Sequence, residues 1–471
     1  MKNPIIHWWI AVAFFSYLYY NQEQGYNTVV FTVILVALVL QTRPTLMTQT
    51  NWWKSAAIQL LAAVGVAWHG LGWGSFLYVI SFFVFVGFTM APQSTVFGAW
   101  LNGILSSMVV EIVGSFASIT ARIKELFAPL RQHYGRIKPS IYLMPLLITI
   151  GFYGLYCWAN PAFWVDFSWA AFEIDFWLVG FVLMGLIGLC PLFFFGSGKL
   201  PFTESVYQEK VIRTKKSNHG AGIIALKYEN RQGVILFFML NLLIIIFLLF
   251  NVAQLLLPSL QQVKGFSQQV HEGFNALLVS IFSAMALIVY YFRANQNFYA
   301  QNRRLLQLAF VWIVLNAALG LFTCYKNSLY VVAFGLTFKR IGVYFALVMT
   351  FGGLVLTFIK IKWIKSTAYL VRQTMWVVYL TITLYCLFDW SRIITWYNLT
   401  YAQELDMDYI QTLGPTRLPL LQAKVLENDI RLECYKYQIQ SEIQTRKQVR
   451  WAFADWQSRN WDDEWLRKTL K

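Results

Sequence analysis

The residues able to do chemistry gather at helix mouths. His271, Glu272 and Asn275 open the stretch HEGFNALLVSIFSAMALIVYYFRANQNFYAQNRR, and Arg293, Asn295 and Asn297 follow its last apolar turn. Between them lie 17 uncharged residues, 276–292, about 25 Å of helix at the ordinary rise, close to the depth of a bilayer core. Lys339 and Arg340 open another helix in GLTFKRIGVY. Asp389 and Arg392 stand at the end of the last apolar run, just before WYNLTYAQELDMDY with Glu404, Asp406 and Asp408. Glu173 and Asp175 open a fourth helix. Charges at this depth are rare and usually paired. The spacing therefore predicts that His271 and Glu272 meet Lys339 and Arg340, with Asp389 close by. Such a constellation suits a polar pocket for a headgroup, ion or sugar. Helix-end ion pairs that brace a docked tail give the same pattern.

Standard catalytic signatures are absent. The chain has no P-loop, no GxGxxG after a strand, no HExxH and no GxSxG. His271-Glu272 is not a zinc pair by itself, because a metal needs three or four converging ligands. Cys157, Cys190, Cys324, Cys386 and Cys434 are scattered with no CxxC, which reads as thiols without a disulfide framework. The sequence thus points to no cofactor and no metal.

The elements that position these residues are apolar runs. Of 471 residues, 58% are hydrophobic and 13% charged, and the mean hydropathy is +0.51. A soluble chain carries roughly twice that charged fraction. Runs near 5–20, 27–41, 54–69, 72–92, 94–116, 138–159, 172–196, 231–257, 272–292, 304–324, 338–361 and 368–389 predict an all-α, polytopic transmembrane bundle of about 12 helices. This domain covers 1–396, and a mostly helical extramembrane tail covers 397–471. The 20 Trp, 25 Tyr and 39 Phe fit interfacial belts and lipid-facing bulk. In the transport reading Glu111 is the best charged candidate for the midplane.

The net charge of +16 is unevenly placed. Residues 401–471 hold 11 Lys/Arg and 11 Asp/Glu, so the excess lies in the loops between apolar runs. That is the signature of cytoplasmic loops rather than of a nucleic-acid groove. Basic loops near 117–138, 197–231, 293–304 and 360–372 fall on one side. With 12 helices both termini would then face the other side, although Lys2, Arg43 and Lys54 disagree mildly with that count. The segment Ser118 to Lys138 reads equally as an interfacial amphipathic helix or a solvated connector. In the tail, Leu420 to Lys447 has helical composition. Trp451, Trp456, Trp461 and Trp465 form a stripe suited to packing a small helical domain on its neighbours.

HEGFN, YFRANQNFY, GLTFKRIGVY and WYNL…LDMDY together resemble a bacterial family of multi-pass membrane proteins catalogued as a domain of unknown function and frequent in Bacteroidetes. The resemblance covers roughly residues 230–415. It implies a multi-pass protein of the bacterial cytoplasmic (inner) membrane and supplies no activity or substrate. Transport or lipid and envelope-component handling ranks first. A membrane-embedded transferase and an envelope sensor or scaffold are the alternatives. The expected partners are membrane lipids and an envelope protein reached through the extracytoplasmic tail.

Overall fold

The computed structural model describes residues 4–70, 72–107, 175–194, 209–213, 221–256, 281, 283–292, 295–402, 405–449 and 455–470. His271, Glu272, Asn275, Arg293, Glu404, Glu111, Glu173, the loop near 117–138 and the run at 138–159 lie outside them.

The apolar runs become helices: α1 (Pro4–Tyr19), α2 (Tyr26–Thr42), α3 (Thr50–His69), α4 (Trp73–Met90), α5 (Val96–Leu105), α6 (Phe176–Phe193), α7 (Ala221–Leu256), α8 (Arg303–Phe334), α9 (Phe338–Lys362), α10 (Thr367–Cys386) and α11 (Trp390–Tyr401). Among the described residues there is no strand, only an isolated bridge between Lys210 and Lys365. Five helices are long and apolar enough to cross a membrane: α4, α6, α7, α8 and α9. Together α10 and α11, bent by 64°, make a sixth. Against an expected count of about 12 spanning helices, the described residues hold five or six candidate spans, so that count is not confirmed. α1, α2 and α5 are apolar but short, at 16, 17 and 10 residues, and α3 is the least apolar of the first four.

Helix ends follow capping chemistry. Thr95, Asp175, Thr337, Ser366 and Asp389 each accept a backbone N–H from the first turn that follows. α8 runs ten residues past the expected stop at 324. Its Lys326 does not end it, because Nζ donates to Asn251 Oδ1 of α7 at 2.8 Å.

One apolar core lies among α1–α6 and α10, and a second among α7, α8, α9 and residues 281–292. α4 and α5 touch backbone to backbone: a Cβ on Gly87 would sit 1.8 Å from the Ala99 carbonyl oxygen. Small residues allow such close crossings where no hydrophobic drive separates helix from lipid. On α7, Phe238, Met239, Leu242, Leu243, Ile246 and Leu249 are all more than half exposed, the face expected of a helix wetted by lipid tails.

The two ends of the bundle differ in charge. At one end Arg43 donates to the carbonyls of Thr89 and Pro191, and Arg372 to those of Gln93 and Ser94. Lys54 lies over Trp376, Lys360 Nζ donates to the Phe292 carbonyl at 2.8 Å, and Lys365 pairs with Glu209. Arg43 and Lys54 therefore share the basic end with the loop at 360–372. The start of α1 is there too, since His7 bonds Gln41 at 3.1 Å near the end of α2. The tail packs against the opposite end. The expectation that both termini share one face is corrected: α1 starts at one end of the bundle and the tail sits at the other.

The tail is a small helical unit: α12 (Met407–Gln411), α13 (Leu418–Leu426), α14 (Lys436–Val449) and α15 (Trp461–Thr469). Its core includes Ile410, Leu418, Leu421, Leu432, Ile443, Leu466 and Leu470, and extends back to Leu399. The helix expected from Leu420 to Lys447 is broken. Asn428 takes a left-handed φ of 56°, which Asn tolerates, and Asp429 caps the short 3-10 turn that follows.

Candidate functional site

The tail crosses the bundle end as a strap. Tyr26 N–H donates to the Arg459 carbonyl at 2.9 Å, Gln22 to Asp455 at 2.8 Å, and Glu23 N–H to Ser458 Oγ at 2.9 Å. Trp461 stacks on Trp68 with ring centroids 5.4 Å apart. Arg392 lies 4.0 Å over the Trp465 ring, a cation–π contact. Of the tail tryptophans, Trp461 and Trp465 contact the bundle in this way, while Trp451 lies outside the described residues.

Three polar side chains converge under this strap. His69 closes α3, where Gly70 turns the chain at φ 73°. Asp389 stands in the bend between α10 and α11. Asp462 lies in the first turn of α15, a helix capped by Asn460. His69 Nε2 is 2.9 Å from the Leu387 carbonyl oxygen, and Nδ1 is 2.7 Å from Asp462 Oδ2. Asp389 Oδ1 accepts the Arg392 N–H at 3.1 Å and the Thr416 hydroxyl at 3.0 Å. Its Oδ2 is buried and has no hydrogen-bond partner. One donor atom from each of the three lies within 4.8 Å of the other two.

These residues line a cavity of about 660 Å³. Trp73, Tyr385, Phe388 and Trp390 supply aromatic surface, and Ser391 and Thr416 add hydroxyls. The volume falls in the range of ordinary small-molecule sites, and the pairing of aromatic walls with a few convergent polar groups is typical of them.

The other residues singled out by sequence have different places. Arg340 spends its guanidinium on the Phe334 and Gly335 carbonyls and stacks 4.3 Å over Tyr330. Lys339 is exposed. Asp406 caps α12 by accepting the Tyr409 N–H at 3.0 Å, and Asp408 occupies the first turn of that helix. GLTFKRIGVY nevertheless meets WYNL and LDMDY, through an amide and a phenol. Asn398 of WYNL accepts the Leu336 N–H at 2.6 Å and donates to its carbonyl at 3.0 Å. Tyr409 of LDMDY accepts the Phe338 N–H at 2.8 Å. They pin the turn between α8 and α9, with Gly335 at φ 78°, against α11 and the tail. Among the described residues, Asp389 is the member of the expected constellation that lies at this site. His69 and Asp462 escaped the sequence reading because 393 residues separate them.

An all-helical chain with several candidate spans and a polar cavity at one bundle end defines a multi-pass membrane protein. Residues 56–423 match the model of a domain of unknown function, DUF4153, and the chain belongs to that family. The match includes His69 and Asp389, while Asp462 lies beyond it. No curated protein and no solved structure matches the chain.

Proposed function

We propose that this is a bacterial cytoplasmic-membrane protein that handles an envelope component, binding it in the cavity under the tail at the extracytoplasmic end. The observation that carries the reading is the cavity itself: it is lined by aromatic rings together with His69, Asp389 and Asp462, the last contributed by the strap. Such a surface suits an amphipathic molecule with a polar head. The basic residues at the opposite end support placing that end in the cytoplasm. A binding role fits better than conduction, because the polar residues at mid-depth between α2, α3 and α4 are uncharged and satisfy one another. Thr32 and Tyr78 bond at 3.1 Å, and Ser81 donates to Gln59.

Native mass spectrometry of nanodisc-embedded protein tests the reading. Cys386 lines the cavity, and Cys386→Trp fills it. Wild type is expected to carry a bound envelope species that the variant lacks at an unchanged thermal midpoint. A wild type with no bound species, or the same species in both, contradicts it.

A further inference from the structure

We propose that His69, Asp389 and Asp462 form a binding site for a divalent transition-metal cation such as Zn²⁺ or Mn²⁺, with its open coordination positions facing the cavity. The argument begins with the histidine. A carbonyl oxygen only accepts, so the 2.9 Å contact with Leu387 fixes the proton on Nε2. In the neutral ring Nδ1 then presents its lone pair, and it does so 2.7 Å from Asp462 Oδ2, another acceptor. At that distance a proton bridges the two as an ion pair, and a metal ion bound there would take the place of that proton. Metal-ligating histidines characteristically donate their second ring N–H to a carbonyl or carboxylate, which orients the ring and fixes the tautomer. Leu387 provides that partner here.

The second observation is independent of the histidine. Asp389 is held by one oxygen only: Arg392 N–H and the Thr416 hydroxyl both go to Oδ1. That leaves Oδ2 buried without a hydrogen-bond partner, in a group where three donor atoms lie within 4.8 Å of one another. Donors about 2.0–2.2 Å from one ion lie about 3–3.5 Å apart, a side-chain rotation away from this arrangement. A buried carboxylate oxygen with no donor is costly, and a cation removes the cost.

Donor chemistry selects the ion. One imidazole and two carboxylates suit Zn²⁺, Mn²⁺ or Fe²⁺, while Mg²⁺ and Ca²⁺ prefer oxygen alone. Three protein ligands with a cavity beside them match the open metal sites that bind or activate a ligand, rather than closed structural ones. The ion deepens the reading of the cavity by supplying a positive pole for an anionic head. It rests on the donor geometry alone, so the two tests fail separately.

The test uses full-length protein in detergent, stripped with a chelator and titrated calorimetrically with ZnCl₂ or MnCl₂. Asp389→Asn is the main variant, because Asn caps a helix as well as Asp does. Asp462→Asn is an independent second variant on another element. A double variant of the exposed carboxylates, Asp406→Asn with Asp408→Asn, controls for surface binding. One equivalent per chain is expected in wild type and in the control, with at least tenfold weaker binding in each site variant. Bound metal should raise the thermal midpoint of wild type and not that of Asp389→Asn, and the metal-free midpoints report whether each variant is folded. No saturable binding by wild type at millimolar metal overturns the proposal. Equal affinity in the folded Asp389→Asn or Asp462→Asn protein overturns it as well.

Discussion

Arg417 shows how charge is used in the tail. Its side chain is 5% exposed and donates to both oxygens of Glu442, at 2.8 and 2.9 Å, and to the Leu413 carbonyl at 2.6 Å. One nitrogen, Nη2, serves both carboxylate oxygens, and an ion pair with one partner so buried contributes more than a surface pair. Arg417→Met should lower tail stability by about 1–3 kcal/mol, since Glu442 remains partly solvated. A thermal scan that follows tail tryptophan fluorescence checks this, and a change below the noise would show the pair to be dispensable. By contrast, Arg431 sits beside Asp429, holds its carboxyl below the usual carboxylate range, and also donates to the Leu399 and Ala402 carbonyls at the end of α11. The acids picked out at helix starts were legible as polar anchors but not as caps. Asp175, Asp389 and Asp406 each accept backbone N–H groups, and a sequence pattern does not separate a cap from a site. Asp389 is both, because only one of its oxygens is used for capping.

Among the elements, the strap at 455–463 decides whether the site exists, since Asp462 arrives on it. Gly25 is the point where backbone meets backbone. A Cβ there would sit 2.3 Å from the Arg459 carbonyl oxygen, the same oxygen that accepts the Tyr26 N–H. Gly25→Ala should therefore lift the strap at a cost of about 1–3 kcal/mol. Limited proteolysis is expected to cut the variant within 455–470 faster than wild type while leaving the bundle intact. Equal cleavage would mean the strap is held elsewhere. Helix positions were readable from hydropathy: the starts and stops of α2, α4, α6 and α9 lie within about four residues of the apolar runs, the usual boundary error. The extension of α8 was not readable, because the acceptor for Lys326 is on another helix. The 64° bend between α10 and α11 falls where the apolar run ends at 389, so α11 lay beyond the run and was not read as its continuation.

For the whole molecule, the governing feature is the contrast between its ends. Arg43, Lys54, Lys360, Lys362 and Arg372 crowd one end, and the balanced tail covers the other. Residues 43 and 54 looked discordant in sequence because sidedness depends on counting every crossing before them. Their contacts with Thr89 and Trp376 remove that dependence. This polarity supports the proposed placement of the basic end in the cytoplasm and the cavity outside. Single cysteines at two exposed positions, Asp408→Cys in the tail and Lys362→Cys at the basic end, in a variant without native thiols, test it in intact spheroplasts. A membrane-impermeant maleimide should modify position 408 at once and position 362 only after lysis; rapid labelling of 362 with protection of 408 would contradict the account.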